Sequence, residues 1–274
     1  MLIEIIKAII LGIIQGITEW LPISSTGHMI LVNQFLQLDI SPEFQSLFFV
    51  VIQLGSILAV VVLFFNKLNP FSLKKTGAER KATIVLWLKV LVAAIPAGVI
   101  GVLFDDIIDE IFFDNVYIIA TTLIIYGLIF ILLEILNKSR KLRAETVDDI
   151  TFVDAIVIGL FQVLSLIPGT SRSGSTILGG MISGINRVAV AEFSFFLALP
   201  VMAGASLLKL VKFGFVFTLS EIFILVVGVL VAFGVSLFAI RFLMDYIKKH
   251  DFKVFGFYRI ILGVIVLLYF LLIK

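Results

Sequence analysis

Continuous apolar runs about as long as a bilayer is thick constrain this chain more than any other feature. Six stretches, about 46–65, 84–104, 116–136, 188–211, 220–243 and 254–273, come close to the roughly 20 residues that carry an α-helix across a hydrocarbon core of about 30 Å. Backbone polar groups find no water at that depth, so such a chain crosses as helices or as a closed barrel. The runs are continuous rather than alternating, which argues against the barrel. Composition agrees: 61% of the 274 residues are hydrophobic and 15% charged, where a soluble domain carries about 25% charged residues. The expected fold class is an all-α polytopic membrane protein with six full spans. A net charge of +2 gives no sign of a nucleic-acid partner. The absence of cysteine excludes disulfides, thiolate metal sites and cysteine nucleophiles. The start, Met1-Leu-Ile-Glu-Ile-Ile-Lys7, lacks a basic region followed by a small-residue cleavage site and reads as part of the mature protein.

Two further stretches, 1–36 and 152–187, behave differently. Each opens with a short apolar run, breaks at a knot of polar residues, and resumes. Residues 1–14 would rise only about 21 Å as a helix at about 1.5 Å per residue, too short to cross. Both stretches are expected to be re-entrant helix pairs, because broken backbone at membrane depth is tolerated where it lines a polar cavity.

Loop charge sets the expected topology. Residues 66–83 hold Lys67, Lys74, Lys75, Arg80 and Lys81; 137–151 hold Lys138, Arg140, Lys141 and Arg143; 244–253 hold Lys248, Lys249 and Lys253. Basic loops stay on the cytoplasmic side. Residues 105–115, with Asp105, Asp106, Asp109, Glu110 and Asp114 and no base, are expected as a solvated external turn. Both termini then lie outside, and Lys209 and Lys212 fall on the outer side against the trend.

The same map contains a repeat. Gly12-Ile-Ile-Gln15 with Pro22-Ile-Ser-Ser-Thr-Gly27 parallels Gly159-Leu-Phe-Gln162 with Pro168-Gly-Thr-Ser-Arg-Ser-Gly174. Residues 1–140 and 141–274 are expected to form two halves, each a re-entrant pair followed by three spans. Three crossings reverse orientation, so the second half is inverted. A binding site is expected where the two broken elements meet near the midplane.

Ionisable residues at that depth are functional by default. Gln15 and Glu19 share a helix face at i and i+4 and offer the oxygen ligands that magnesium or calcium prefers; alternatively Glu19 is a helix-end carboxylate near the headgroups. Ser24, Ser25 and Thr26 sit where a new helix begins, a place for anions or for ordinary N-caps. The cap reading suits Ser24 best, and Ser25 is a candidate nucleophile. His28 could take or give a proton or serve as a hydrogen-bonded structural residue. Arg172, on a Gly-rich turn, offers a planar donor fork to phosphate or an ion pair to Glu19, and the two are compatible. Ser171, Ser173 and the Gly169 and Gly174 backbones would complete a phosphate cradle. Gln53, Glu192 and Arg187 could line the cavity or bond between helices.

Gln15-Gly-Ile-Thr-Glu19, Leu21-Pro-Ile-Ser-Ser-Thr-Gly-His28 and Pro168-Gly-Thr-Ser-Arg-Ser-Gly174 resemble the signature motifs of the undecaprenyl-diphosphate phosphatase (BacA/UppP) family. The resemblance covers nearly the whole chain, including Val51-Ile-Gln-Leu-Gly-Ser-Ile-Leu-Ala-Val60. It implies an enzyme of the bacterial cytoplasmic membrane, its site reached from the external face. The reaction would remove the terminal phosphate of undecaprenyl diphosphate and return the lipid carrier to peptidoglycan synthesis. It further implies dependence on Mg2+ or Ca2+ and an association with bacitracin resistance. Carried over by motif, Gln15 and Glu19 serve the metal or acid–base work, Ser25 is the candidate nucleophile with His28 or a water as the alternatives, His28 is its proton partner and Arg172 the phosphate clamp. Gln15 stands where the family pattern admits Glu or Gln, and an amide there is a ligand or donor rather than a base. The expected partners are the polyprenyl diphosphate lipid and the bilayer; a homodimer is left open by the sequence.

A transporter or flippase of a lipid phosphate or small anion is the rival reading, since inverted repeats with broken helices also build transporters. It would have less use for Glu19 and His28 beside a candidate nucleophile. A phosphatidate-type acid phosphatase also uses Ser-Gly-His and Ser-Arg motifs, but its Lys-x6-Arg-Pro block and second catalytic histidine are absent.

Overall fold

The structure is a computed structural model that describes residues 2–112, 115–138 and 140–272; the side chains of Thr26, Asp105, Asp106, Ile108, Asp109, Glu110 and Phe112 lie outside the description. The described residues form helices and connecting turns, with one isolated parallel bridge, Ala144 to Ile185. Six helices are long and apolar enough to span a membrane: α3 (Pro42–Leu63), α5 (Gly77–Phe112), α6 (Val116–Asn137), α9 (Arg187–Phe213), α10 (Leu219–Ile247) and α11 (Lys253–Leu272). They match the six expected runs. The chain is an all-α polytopic membrane protein.

The two remaining stretches are broken as expected. The first gives α1 (Leu2–Thr18) and α2 (Ser25–Asn33); the second gives α7 (Phe152–Val163) and α8 (Arg172–Ile182), while α4 (Phe65–Leu68) is a single turn after α3. At about 1.5 Å per residue α1 rises about 25 Å, α7 and α8 less, so each is shorter than a hydrocarbon core of about 30 Å. Thr18 ends α1 by turning its hydroxyl back onto the Ile14 carbonyl at 2.7 Å. A 3-10 turn, Leu164–Leu166, follows α7 before Pro168.

One expectation fails. Residues 105–112, read as an external loop, are the last two turns of α5. Asp105-Asp106-Ile-Ile-Asp-Glu110 contains neither Gly nor Pro, so nothing in it stops a helix. Asp114 and the first residue, Met1, lie outside the described residues.

Packing crosses between the first and second parts of the chain: α1 lies on α10, α7 on α5, α3 on α9 and α6 on α11. The α6–α11 seam is close because it is built on glycine. A Cβ on Gly127 would stand 2.7 Å from the Gly256 carbonyl, and one on Gly256 2.8 Å from the Gly127 carbonyl. Lipid supplies little hydrophobic drive between spans, so such backbone approach is what holds them together.

Candidate active site

Where the two broken segments meet, one carboxylate organises the polar groups. Glu19 is buried just past the end of α1, its N–H still bonded to the Gln15 carbonyl at 3.0 Å. One carboxylate oxygen receives the Gln15 side-chain amide and the Ser25 hydroxyl, both at 2.8 Å. The other receives Nη2 of Arg172 at 2.8 Å, from the opposite broken segment. Arg172 also donates through Nη1 to the carbonyl of Ser194 on α9 at 2.8 Å, and its guanidinium stands 5.6 Å from the centre of the buried Trp20 ring. Its Nε is buried with no partner among the described residues.

The two serines that open the second helix of each pair do the same job. Ser24 and Ser171 hold φ of 74° and 75°, a left-handed conformation rare for a residue with a Cβ. Each Oγ accepts the backbone N–H three residues on, from Gly27 at 3.2 Å and from Gly174 at 3.1 Å. Strain of this kind persists only where the surroundings over-determine it, and it gathers at functional sites. Gly169 is a third special position. At φ 90° it is pressed so close that a Cβ would lie 2.1 Å from the Thr122 hydroxyl oxygen.

A cavity of about 230 Å³ opens over this centre. Glu19, Ser24 and Ser25 line it from the first segment, Gly169, Ser171 and Arg172 from the second. Its walls are Ser46, Val50 and Gln53 on α3 and Met202, Ala205 and Lys209 on α9. Of the polar residues left open by the sequence, Gln53 thus reaches the cavity, whereas Glu192 pairs with Lys67 at 2.7 Å and Arg187 with Glu134.

Other expected site residues sit elsewhere. His28 does not bond Ser25. Its Nδ1 is 2.7 Å from the Ser24 carbonyl and its Nε2 2.7 Å from the Tyr258 hydroxyl. A carbonyl only accepts, so Nδ1 carries the proton and Nε2 accepts from Tyr258. Ser173 and Gly174, expected in the phosphate cradle, are outside the cavity lining. The Ser173 hydroxyl lies 3.3 Å from the carbonyls of Glu19 and Leu21 and ties the two segments together. Thr26 belongs to α2, and its side chain lies outside the description.

One residue the sequence reading passed over also braces the junction. Arg259 of α11 is fully buried and donates to the carbonyl of Pro22 at 3.0 Å, of Gly169 at 2.7 Å and of Thr170 at 3.0 Å. It lies over the Tyr126 ring at 5.3 Å. The signal was present: an arginine inside the apolar run 254–273 cannot face lipid without a partner. Its neighbour Tyr258, also passed over, fixes His28.

A family model described as "Bacitracin resistance protein BacA" matches residues 8–265. The chain belongs to the BacA family. Among curated BacA relatives, an undecaprenyl-diphosphatase of Acetivibrio thermocellus is 59% identical over 273 residues, all of both chains. Undecaprenyl-diphosphatase 1 of Clostridioides difficile is 60% identical over 99% of this chain and 98% of its own, and an Enterococcus faecalis undecaprenyl-diphosphatase is 58% identical over 97% of each.

Proposed function

We propose that this BacA-family chain is an undecaprenyl-diphosphatase, hydrolysing undecaprenyl diphosphate to undecaprenyl phosphate and inorganic phosphate in the bacterial cytoplasmic membrane. Its place in bacitracin resistance and in the supply of carrier lipid for wall synthesis follows from that reaction. Full-length identity to enzymes of that name carries the reading, and the Glu19–Ser25–Arg172 cluster supplies the chemistry it needs. Nothing favours the transporter alternative.

In this reading Ser25 Oγ attacks the terminal phosphorus and gives its proton to the Glu19 oxygen it already bonds. The bond from that phosphorus to the bridging oxygen breaks, and undecaprenyl phosphate leaves. Water then cleaves the phosphoserine, so one hard displacement becomes two easier ones. Arg172 turns from Glu19 toward the phosphoryl oxygens, where its fork and its unpaired Nε meet the developing charge. His28, held at both nitrogens, orients the start of α2 through the Ser24 carbonyl.

A divalent cation fits this donor set only together with substrate. Among the described residues no three His, Cys, Asp or Glu side chains gather into a metal cluster. One carboxylate, Glu19, and one amide oxygen, Gln15, leave the rest of the shell to diphosphate and water, as suits Mg2+. When bound, the cation would neutralise diphosphate charge; Glu19 and Gln15 would hold it.

The external face is supported by which helix ends build the cavity. They are the first half of α3 and the last half of α9, opposite the basic loops, and Lys209, against the positive-inside trend, belongs to the cavity lining. The pairings α1–α10 with α7–α5, and α3–α9 and α6–α11 each with itself, are those that two inverted halves, 1–140 and 141–274, would make.

The test is phosphate release from undecaprenyl diphosphate by the purified protein in detergent, with Mg2+ or Ca2+ and then with EDTA. Release suppressed by EDTA supports both the activity and the cation. Release that EDTA leaves untouched removes the cation, and no release from folded protein removes the function.

A further inference from the structure

At the opposite ends of the spans lies a second polar hollow, with no part in the cavity above. It has a volume of about 360 Å³ and is framed by the ends of α6, α8 and α10 and the start of α9. Loop charge places this end of the molecule on the cytoplasmic side. Its lining carries four cations, Lys138, Arg140, Arg187 and Lys248, and no acid.

We propose that this hollow binds the phosphate-bearing headgroup of an anionic lipid of the cytoplasmic leaflet.

The frame is preformed. Backbone bonds from Arg143 to the Gly184 carbonyl and from Asn186 to the Ala144 carbonyl, both 2.8 Å, stitch the loop after α6 to the turn before α9. Nη1 of Arg140 donates to the Ile182 carbonyl at 2.8 Å, and the Asn137 amide to that of Met181 at 3.3 Å.

Half of the charge is already paired, and half is not. Arg187 is held by the buried Glu134, and Lys248 bonds Asp245 at 2.9 Å. Asp251, on the same side, pairs with Lys253 at 2.9 Å, and its charge also reaches Arg187. No acid among the described residues pairs with Lys138 or Arg140. The 27-residue helix α9 starts here, capped by Asn186, and adds the positive end of its dipole. A second basic hollow on the same side makes the contrast, because there Lys67 and Lys75 share the lining with Glu79 and Asp148.

A lipid suits the hollow better than a free anion. The exposed Leu142 and the half-buried Val188 line it beside the cations, which offers apolar surface to glycerol and acyl carbons next to charge for the phosphate. Basic pockets between spans on this side are where anionic headgroups settle.

The experiment measures the thermal midpoint of the detergent-purified protein with added phosphatidylglycerol, phosphatidylcholine or inorganic phosphate. It compares the parent with K138Q/R140Q/K248Q and with K74Q/R80Q/K81Q, which removes the same charge from the basic loop 66–83. Phosphatidylglycerol should raise the midpoint of the parent and of the loop variant by several degrees, and that of the hollow variant by less than half as much. Phosphatidylcholine should raise none. An undiminished shift in the hollow variant, no shift in the parent, or an equal response to phosphatidylcholine overturns the proposal. Inorganic phosphate that reproduces the shift in the parent and loses it in the hollow variant makes this a free-anion site, which overturns the lipid reading; a phosphate shift common to all three belongs to the active-site cavity and leaves the lipid reading to stand on the phosphatidylglycerol result. Should the triple variant not fold, K138Q, which removes no hydrogen bond, takes its place and must still lower the shift.

Discussion

After Thr18 and again after Leu166 the chain leaves a helix, turns through a serine held near φ 75°, and begins a new helix whose third N–H that serine caps. The backbone device is the same and the side chains are not. The first turn carries the acid Glu19 and the hydroxyl of Ser25; at the position that follows the capping serine, the second turn carries Arg172 instead. A carboxylate alone, or a guanidinium alone, would be costly at this depth. Brought together they neutralise each other and place the Ser25 hydroxyl beside the fork that we propose takes the phosphate. The chemistry arises where the two turns differ, and the scaffold where they agree.

Variants that erase the difference should have the largest effects. Glu19→Gln or Arg172→Ala removes one of the two opposite charges, and phosphate release should fall by about 10³-fold or more, beyond what loss of a single transition-state donor costs. Ser25→Ala should fall as far if its hydroxyl is the nucleophile. A Ser25→Ala enzyme that keeps near-normal turnover would assign the attack to water.

Variants of the shared scaffold test the other side. Arg259→Gln strips donors from Pro22, Gly169 and Thr170 at once, a loss on the order of 3 kcal/mol or more. It should lower both thermal stability and turnover, with Arg259→Lys recovering part of each; unchanged stability would mean the segments are held by other contacts. Gly169→Ala forces a Cβ onto Thr122 and should cost about tenfold or more in turnover, read against stability in the same preparation. Tyr258→Phe should have the smallest effect, a few-fold, because it removes one donor to His28 while Nδ1 keeps its bond to Ser24. A drop as large as that of Glu19→Gln would put His28 in the proton path.

Much of this was legible in the sequence because membranes punish irregularity. Span length alone gave the six crossing helices, and the polar knots marked both breaks. Sequence also paired Gln15 with Glu19 and allowed the Arg172–Glu19 contact. It did not separate residues that face the cavity from those behind it. Ser171 lines the cavity and Ser173 joins the two segments, although they are two positions apart on one turn. Nor did it join Ser25 to Glu19 rather than to the nearer His28, since which partner a hydroxyl meets depends on the angle at which α2 leaves the Pro22 turn. Arg259 is 237 residues from its Pro22 partner, a distance over which no local pattern speaks. The helix over 105–112 was missed because acids were read as a loop when no breaker was present.

The central claim is that Glu19 and Arg172, from different broken segments, act as one unit. Phosphate release by Glu19→Gln, Arg172→Gln and the double variant, each checked for folding by thermal midpoint, tests it directly. Acting as one unit, the double variant loses little more than the worse single, as groups that cooperate in catalysis do. Losses that multiply would show two independent contributions and contradict the account.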